Sequence, residues 1–185
     1  VSDARALCEG PHAKACVTEG LELLHSKEPD PAGAVALFER ACKGGAMSGC
    51  TALGVLVEQG KGTTRNKAKA AGLFQLACDA SDGQGCLNLG HMVMTRDVMK
   101  GEPLQALKLF KRACKLKVMG GCFNEGLLRL SDEASVRDLK EATRLFLMAC
   151  NGGDAQGCFN AAVQFADGEG VKQDLAKAMT FFERA

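Results

Sequence analysis

Apolar residues recur along the chain in a nine-residue block with helical spacing. The block reads A-x-x-L-F-x-x-A-C, and its apolar positions fall at i, i+3, i+4, i+7 and i+8. This spacing puts them on one face of an α-helix and does not match the alternation of a strand. We call the helix predicted from each copy helix B, with its Leu-Phe pair in the core. Copies begin at Ala34, Ala70, Ala106, Ala142 and Ala178, and the last runs to Ala185.

A polar residue stands four positions before the first alanine of each copy. Asp and Asn can accept a hydrogen bond from the free N–H groups of a helix start, and Glu does so less well. Pro31 and Pro103 follow at the next position, where a missing N–H costs nothing. These residues therefore predict where each helix B begins. The five are Asp30, Asn66, Glu102, Asp138 and Asp174.

A second helix, which we call helix A, must start near the second cysteine of each C-x7-C pair. Four copies of helix A carry C-x-x-x-G, and Ala162 replaces the glycine in the fifth. A small residue at a fixed helical position predicts close contact with another helix. Glycine-rich links precede helix A and suit the left-handed residue that ends a helix. The links are Lys43-Gly44-Gly45, Asp82-Gly83, Gly120-Gly121 and Asn151-Gly152-Gly153, and the helix A glycines are Gly20, Gly54, Gly90 and Gly126.

The chain is thus a helix, turn, helix pattern with a period of 36 residues. A fixed period of this size indicates an array of repeats. We predict an all-α fold, a right-handed α-solenoid of antiparallel two-helix repeats that forms one array over residues 1–185. The first full repeat is two residues short, and we place the deletion in the loop around Ser26 to Pro29. We expect a partial N-terminal repeat at 1–15, full repeats at 16–49, 50–85, 86–121 and 122–157, and a truncated repeat at 158–185.

Ten cysteines fall into pairs of identical spacing. Even number and strict pairing predict one disulfide per repeat and an oxidising compartment. Each pair joins the end of one helix to the start of the next, which can bring the Cα atoms to about 5–6 Å. The alternative is that the cysteines are buried free thiols in a cytosolic repeat protein. A zinc site is less favoured, because only three histidines are available as further ligands. A thiol-exchange site would need a C-x-x-C motif, which the chain lacks. The pairs are Cys8–Cys16, Cys42–Cys50, Cys78–Cys86, Cys114–Cys122 and Cys150–Cys158.

Charge and composition exclude some partners. The net charge is +1 and the chain has neither Trp nor Tyr, which argues against a nucleic-acid ligand. No apolar run approaches the roughly eighteen residues of a membrane span. We expect a monomer without a cofactor. Since the chain starts at Val1 and stops one position before an expected cysteine, we also expect a trimmed N-terminus and a native chain that continues past Ala185.

Three features carry a family resemblance. They are C-x-x-L-G at Cys50 to Gly54 and Cys86 to Gly90, a G-x-G loop at Gly60 to Gly62 and Gly168 to Gly170, and D-x-x-K-A-x-x-[LF]-F-x-x-A from Asp174 to Ala185. Together they resemble Sel1-like repeats, which are relatives of the tetratricopeptide repeat. The period with one cysteine pair per repeat further resembles the Helicobacter cysteine-rich protein family of exported bacterial proteins.

Two loops depart from this pattern. No G-x-G occurs around Thr95 to Gly101 or Ser131 to Arg137. We therefore expect these loops to be reshaped.

The resemblance implies a secreted or periplasmic scaffold for protein–protein interaction. Members of the cysteine-rich family have been described as penicillin-binding or weakly β-lactamase-like, so such an activity is an alternative. The chain contains no S-x-x-K, S-D-N, K-T-G or H-E-x-x-H, and we assign no catalytic residue and no metal site. The same repeat type with cysteine pairs also occurs in a mitochondrial intermembrane-space factor for respiratory-chain assembly, which implies a second alternative function and compartment.

Three consecutive repeats place an asparagine two residues after the helix A cysteine. Asparagine is a poor helix former, so helix propensity does not explain why it recurs at this helical position. An amide can both donate to and accept from a peptide backbone. We predict a concave face that binds an extended peptide; the alternative is that each Asn bonds a neighbouring loop and never meets a ligand. We interpret His91 as a surface histidine. The predicted peptide-binding residues are Asn88, Asn124 and Asn160 with, one turn on, Met92, Leu128 and Gln164.

Overall fold

The computed structural model describes Cys8 and residues 12–95, 103–131 and 136–185. These residues form helices and no strand, in two compact units, 1–100 with α1 to α5 and 101–185 with α6 to α10. Odd-numbered helices are helices A and even-numbered ones are helices B. The helices are α1 (Ala13–His25), α2 (Pro31–Lys43), α3 (Met47–Gln59), α4 (Lys67–Asp79), α5 (Gly83–Met94), α6 (Pro103–Lys115), α7 (Met119–Leu130), α8 (Leu139–Asn151), α9 (Ala155–Asp167) and α10 (Leu175–Glu183).

Consecutive helices pack against each other within each unit. The all-α fold of two-helix repeats is therefore confirmed. Five residues separate α1 from α2, whereas seven separate α3 from α4, so the first loop is the short one as predicted. The single array over residues 1–185 stays a prediction.

The predicted helix B starts are confirmed wherever the structure describes them. The side chains of Asp30, Asn66, Asp138 and Asp174 each accept a hydrogen bond from the N–H three residues on, at 2.9–3.0 Å. Glu102 lies outside the described residues. Asp82 and Asp154 cap α5 and α9 in the same way, at 2.7 and 2.9 Å. These two caps at the starts of helices A were not predicted from the sequence.

The phenylalanines of α2, α4, α6 and α8 are in the core, as predicted, and three of their rings rest on glycines of helix A. Of the leucines paired with them, only Leu145 is fully buried, so the prediction for the leucines was wrong in the other three repeats. A Cβ atom added to Gly54 would stand 2.5 Å from Cε1 of Phe74, a distance that real Cβ atoms do not reach. The ring therefore lies directly on the α3 backbone, which confirms the predicted close contact. The same contact joins Gly20 to Phe38 and Gly126 to Phe146. The fully buried rings are Phe38, Phe74, Phe110 and Phe146.

All five predicted disulfides form. In four of them the Cα atoms are only 4.4–4.6 Å apart. The glycine before the second cysteine allows this approach, because a Cβ on Gly49 would stand 2.7 Å from that of Ala41. In the first pair Ala15 replaces that glycine, and the Cα atoms of Cys8 and Cys16 are 5.6 Å apart.

Each of the four described turns between a helix B and the following helix A contains one left-handed residue, five positions before the second cysteine. This residue is Gly45 or Gly153 in two repeats but Ser81 (φ 67°) or Lys117 (φ 66°) in the others. The glycine-rich prediction was therefore wrong for two links. Gly83 begins α5, and the pair Gly120-Gly121 lies inside α7.

The G-x-G loops lie against the start of the preceding helix B. A side chain on Gly62 would meet the backbone of Pro31, and one on Gly170 would meet the backbone of Leu139. Both glycines also have positive φ. The loops expected to be reshaped fall largely in 96–102 and 132–135, outside the described residues.

The disulfides predict a defined mass and a redox-dependent stability. The unreduced native protein should weigh ten hydrogens less than the reduced one, and peptide mapping should find only links within each pair. Closing such a short loop contributes about 2–3 kcal/mol in the chain-entropy model, so reduction should lower the melting temperature markedly. Alkylation of every thiol in unreduced native protein would contradict the pairing.

Replacing Gly54 by Ala should destabilise unit 1. The new methyl group would overlap the Phe74 ring, and overpacking of this kind costs about 1–3 kcal/mol. Gly72 is the matched control, because it also lies in a helix but a Cβ there meets nothing within 4 Å. Gly72→Ala should stabilise the protein by about 0.5–1 kcal/mol. Equal effects of the two changes in urea unfolding would show that the ring does not rest on Gly54.

The left-handed turn residues predict opposite effects of two substitutions. Ser81→Gly should raise the free energy of unfolding by about 0.5–1 kcal/mol, since a side chain at positive φ is strained. Gly153→Ala should lower it by about 1 kcal/mol, although a Cβ there meets nothing within 4 Å. Thermal unfolding of both variants checks the signs. A stabilising Gly153→Ala would contradict the assigned backbone conformation.

Candidate functional site

Three helices A of unit 1, α1, α3 and α5, border a groove of about 410 Å³. Helix α3 packs against both α1 and α5, so these helices are neighbours. Most of the wall is apolar, and the polar groups come from the starts of α3 and α5. The apolar residues are Val17, Leu21, Leu24, Phe38, Ala52, Val55 and Leu56, and the polar ones are Ser48, Thr51, Asp82, Gln84 and Asn88.

The apolar wall on α1 follows helical spacing. Val17, Leu21 and Leu24 lie at i, i+4 and i+7, on one face of the helix. Leu21 is 43 % exposed although it faces the groove. Val17 and Leu24 beside it are half-buried. Apolar side chains that line a concave surface are typical of a binding site.

Hydrogen bonds fix the polar edge of the groove. The Thr51 hydroxyl donates to Oδ1 of Asp82 at 3.1 Å, and this connects α3 to the start of α5. Gln84 Nε2 donates to Oδ1 of Asn88 at 2.9 Å. The Asn88 side chain is half-buried and also has an NH2 group that can donate to a ligand.

The other two asparagines lie in unit 2. The Nδ2 group of Asn124 donates to the Gly120 carbonyl at 2.6 Å, and that of Asn160 donates to the Gln156 carbonyl at 2.9 Å. Each of the three asparagines is half-buried and bonds the residue four positions earlier in its own helix. The alternative interpretation expected each Asn to bond a neighbouring loop, but these bonds stay within the helix of the Asn.

The three companion residues lie deeper than the asparagines. Met92, Leu128 and Gln164 are 3 %, 7 % and 3 % exposed, because they share the repeat position of the buried Leu56. The amide oxygen of Gln164 has no hydrogen-bond partner among the described residues.

A more accessible apolar position lies one residue earlier in four of the five helices A, and α5 has His91 there. It holds Leu21, Val55, Leu127 and Val163, of which Leu21 and Leu127 are 43 % and 39 % exposed. This position was not predicted as part of the site, although it lies three residues after the asparagine position and therefore on the same helix face.

The described residues contain no group of three His, Cys, Asp or Glu side chains that could hold a metal ion. His91 is exposed, as predicted, and all ten cysteines are in disulfides. Within the ranges that the structure describes, no helix is long and apolar enough to cross a membrane.

Solved structures with the same fold come from several bacteria. A protective antigen of uropathogenic Escherichia coli with an SLR fold is 21 % identical, with a TM-score of 0.84 over 94 % of this chain and 38 % of its own. A Sel1 repeat protein from Oxalobacter formigenes is 21 % identical, with a TM-score of 0.84 over 93 % and 50 %. An immunity protein from Pseudomonas aeruginosa is 20 % identical, with a TM-score of 0.66 over 95 % and 66 %.

These likenesses show the fold alone. The chain spans half or less of the first two of these structures. No curated protein matches it by sequence. The family model for the Sel1 repeat matches residues 20–45, 48–82, 83–118, 121–154 and 155–185, which is most of the chain. The chain therefore belongs to the Sel1 repeat family.

Proposed function

We propose that this chain is a protein–protein interaction scaffold whose helices A hold an extended segment of a partner protein. The groove of unit 1 is the observation that carries the proposal. Its volume of about 410 Å³ lies within the range of about 300–1,000 Å³ that ligand pockets occupy. Its wall is apolar with a few polar groups at one edge, which is the usual composition of such sites.

An extended peptide fits this combination of groups. Apolar side chains of the peptide would contact Leu21, Leu24 and Val55, and burial of apolar area supplies most of the affinity. The backbone of the peptide would exchange hydrogen bonds with Asn88 at the edge. Since the peptide carries a donor and an acceptor at nearly every residue, an amide that can do both is a suitable partner.

The proposal extends to unit 2 through equivalent repeat positions. Asn124 and Asn160 occupy the position of Asn88, and exposed Leu127 lies one turn beyond Asn124. The buried residues Met92, Leu128 and Gln164 would support this surface from below.

The location that we propose is secreted or periplasmic. Disulfides form and persist in oxidising compartments, and this chain carries one in each repeat. The cross-links also restrict the free scaffold, which lowers the entropy lost when a partner binds.

The groove residues predict which substitutions weaken binding. Peptides selected from a random display library on the parent protein should bind Asn88→Ala about two- to tenfold more weakly, since one hydrogen bond contributes about 0.5–1.5 kcal/mol. The triple change at Asn88, Asn124 and Asn160 should weaken binding severely. Leu21→Glu should abolish it, because a carboxylate would stand in the apolar wall. Fluorescence anisotropy of labelled peptides measures each affinity.

Two matched controls keep this test specific. Leu76→Glu alters an equally exposed leucine on α4, outside the groove, and Gln75→Ala removes an amide that bonds four residues along the same helix. Both should leave affinity unchanged. The melting temperature of the Asn→Ala variants should not fall, because alanine is the better helix former. Undiminished binding by the triple variant, or equal losses in the controls, would overturn the proposal.

A further inference from the structure

One helix A of unit 2 differs from the others in its core. Position 125 of α7 is a glutamate, whereas the equivalent residues of α3 and α5 are the buried leucines Leu53 and Leu89. Position 129 is an arginine, where α3 and α5 have Val57 and Val93. Compared with α3 and α5, Glu125 and Arg129 therefore replace apolar core residues.

The two charged residues face each other inside the unit. Oε1 of Glu125 is 3.7 Å from Nη2 of Arg129, and Glu125 is 2 % exposed. Burial raises the pKa of Glu125, and the charges of Arg129 and Lys111 oppose the shift. A buried ion pair usually stabilises no better than well-packed apolar residues do. Stability alone therefore does not account for this pair.

Glu125 is one of the residues that line a pocket of about 280 Å³ bordered by α6, α7 and α8. Lys111, Lys115 and Lys117 also line the pocket. The residues equivalent to Lys111 are Glu39, Gln75 and Leu147, so no other repeat places a cation there.

Lys117 is itself unusual. Its φ of 66° is left-handed, and two other repeats use glycine at this position. A lysine there carries backbone strain that glycine would avoid. Three residues that depart from the repeat pattern, Lys111, Lys117 and Glu125, thus line one pocket, and Arg129 pairs with the glutamate.

The charges of this pocket do not cancel. Glu141 accepts two hydrogen bonds from Arg144, both at 2.7 Å, and these two groups neutralise each other. Glu125 faces Arg129. The three lysines are then the excess charge of the pocket, which favours an anion. The apolar side chains of Leu145 and Met148 complete the lining.

We propose that this pocket is a second interaction site, which binds a carboxylate side chain from an acidic segment of a partner protein. Leu145 and Met148 suit the methylene stem of a glutamate, while the lysines suit its carboxylate. Inorganic phosphate fits less well, because it has no methylene stem for Leu145 and Met148 to contact. The site lies entirely in unit 2 and shares no lining residue with the groove of unit 1.

The test uses a short capped peptide of alanine and serine with several glutamates, titrated into the whole chain at low salt and followed by amide chemical shifts. We expect shifts centred on 111–117 and 141–148, and none from the peptide with glutamine in place of glutamate. Lys111→Glu should weaken binding about tenfold. Lys117→Gly should weaken it several-fold and yet raise the melting temperature, because it removes the charge and the backbone strain together.

Lys43→Glu is the matched control, because Lys43 ends α2 at the position equivalent to Lys115 and does not line the pocket. It should leave the affinity unchanged. An equal loss of affinity in this control would show that the peptide binds by general charge attraction and not at this pocket. Inorganic phosphate that binds as tightly as the acidic peptide would overturn the assignment to a carboxylate, and shifts spread over the whole surface would overturn the site.

Discussion

The contact between a helix A glycine and a helix B phenylalanine is the interaction on which the rest of the fold depends. Because glycine has no Cβ, the ring of Phe74 lies on the backbone of α3 and becomes fully inaccessible. Burying such a ring contributes about 2–3 kcal/mol, which is a large share for a hairpin of about thirty residues. A single hairpin cannot bury enough area to be stable alone, so the same contact has to recur in successive repeats.

The cysteine turn then fixes how one hairpin follows the next. Its small Ala and Gly residues bring two helices close enough for the disulfide, and the N–H of residue 82 donates to the Ala77 carbonyl at 2.9 Å. The same hydrogen bond recurs at Ala46, Val118 and Asp154. Because covalent and hydrogen bonds both hold the turn, it accepts a left-handed Ser81 or Lys117, which an unconstrained turn would disfavour.

The sequence was sufficient to predict those features that are formed by the same residue type in each repeat. The helix B caps, the buried phenylalanines and the cysteine pairs follow from spacing, and the structure has them where they were predicted. Features that vary between repeats were harder. Ser81 carries no local signal for positive φ, and the position is recognised only by alignment with Gly45 and Gly153. The accessible apolar position of helix A was predicted one residue too late, at the position of Met92 and not at that of Val55. Both positions hold apolar residues, and only the packing of the helices shows which one is buried.

We therefore place the proposed pocket of unit 2 at positions that differ among otherwise equivalent repeats. Residues that every repeat shares are explained by packing, as Phe38 and Phe146 are. Where one repeat replaces Leu53 by Glu125, the substitution weakens packing, and a benefit to stability does not explain it. Two units built on the same backbone pattern thus present different chemistry, an apolar groove with an amide edge in one and a lysine-lined pocket in the other. Because the phenylalanines and disulfides recur in successive repeats, a variable position can differ at a cost in local packing, and a repeat protein can present new chemistry without a new core.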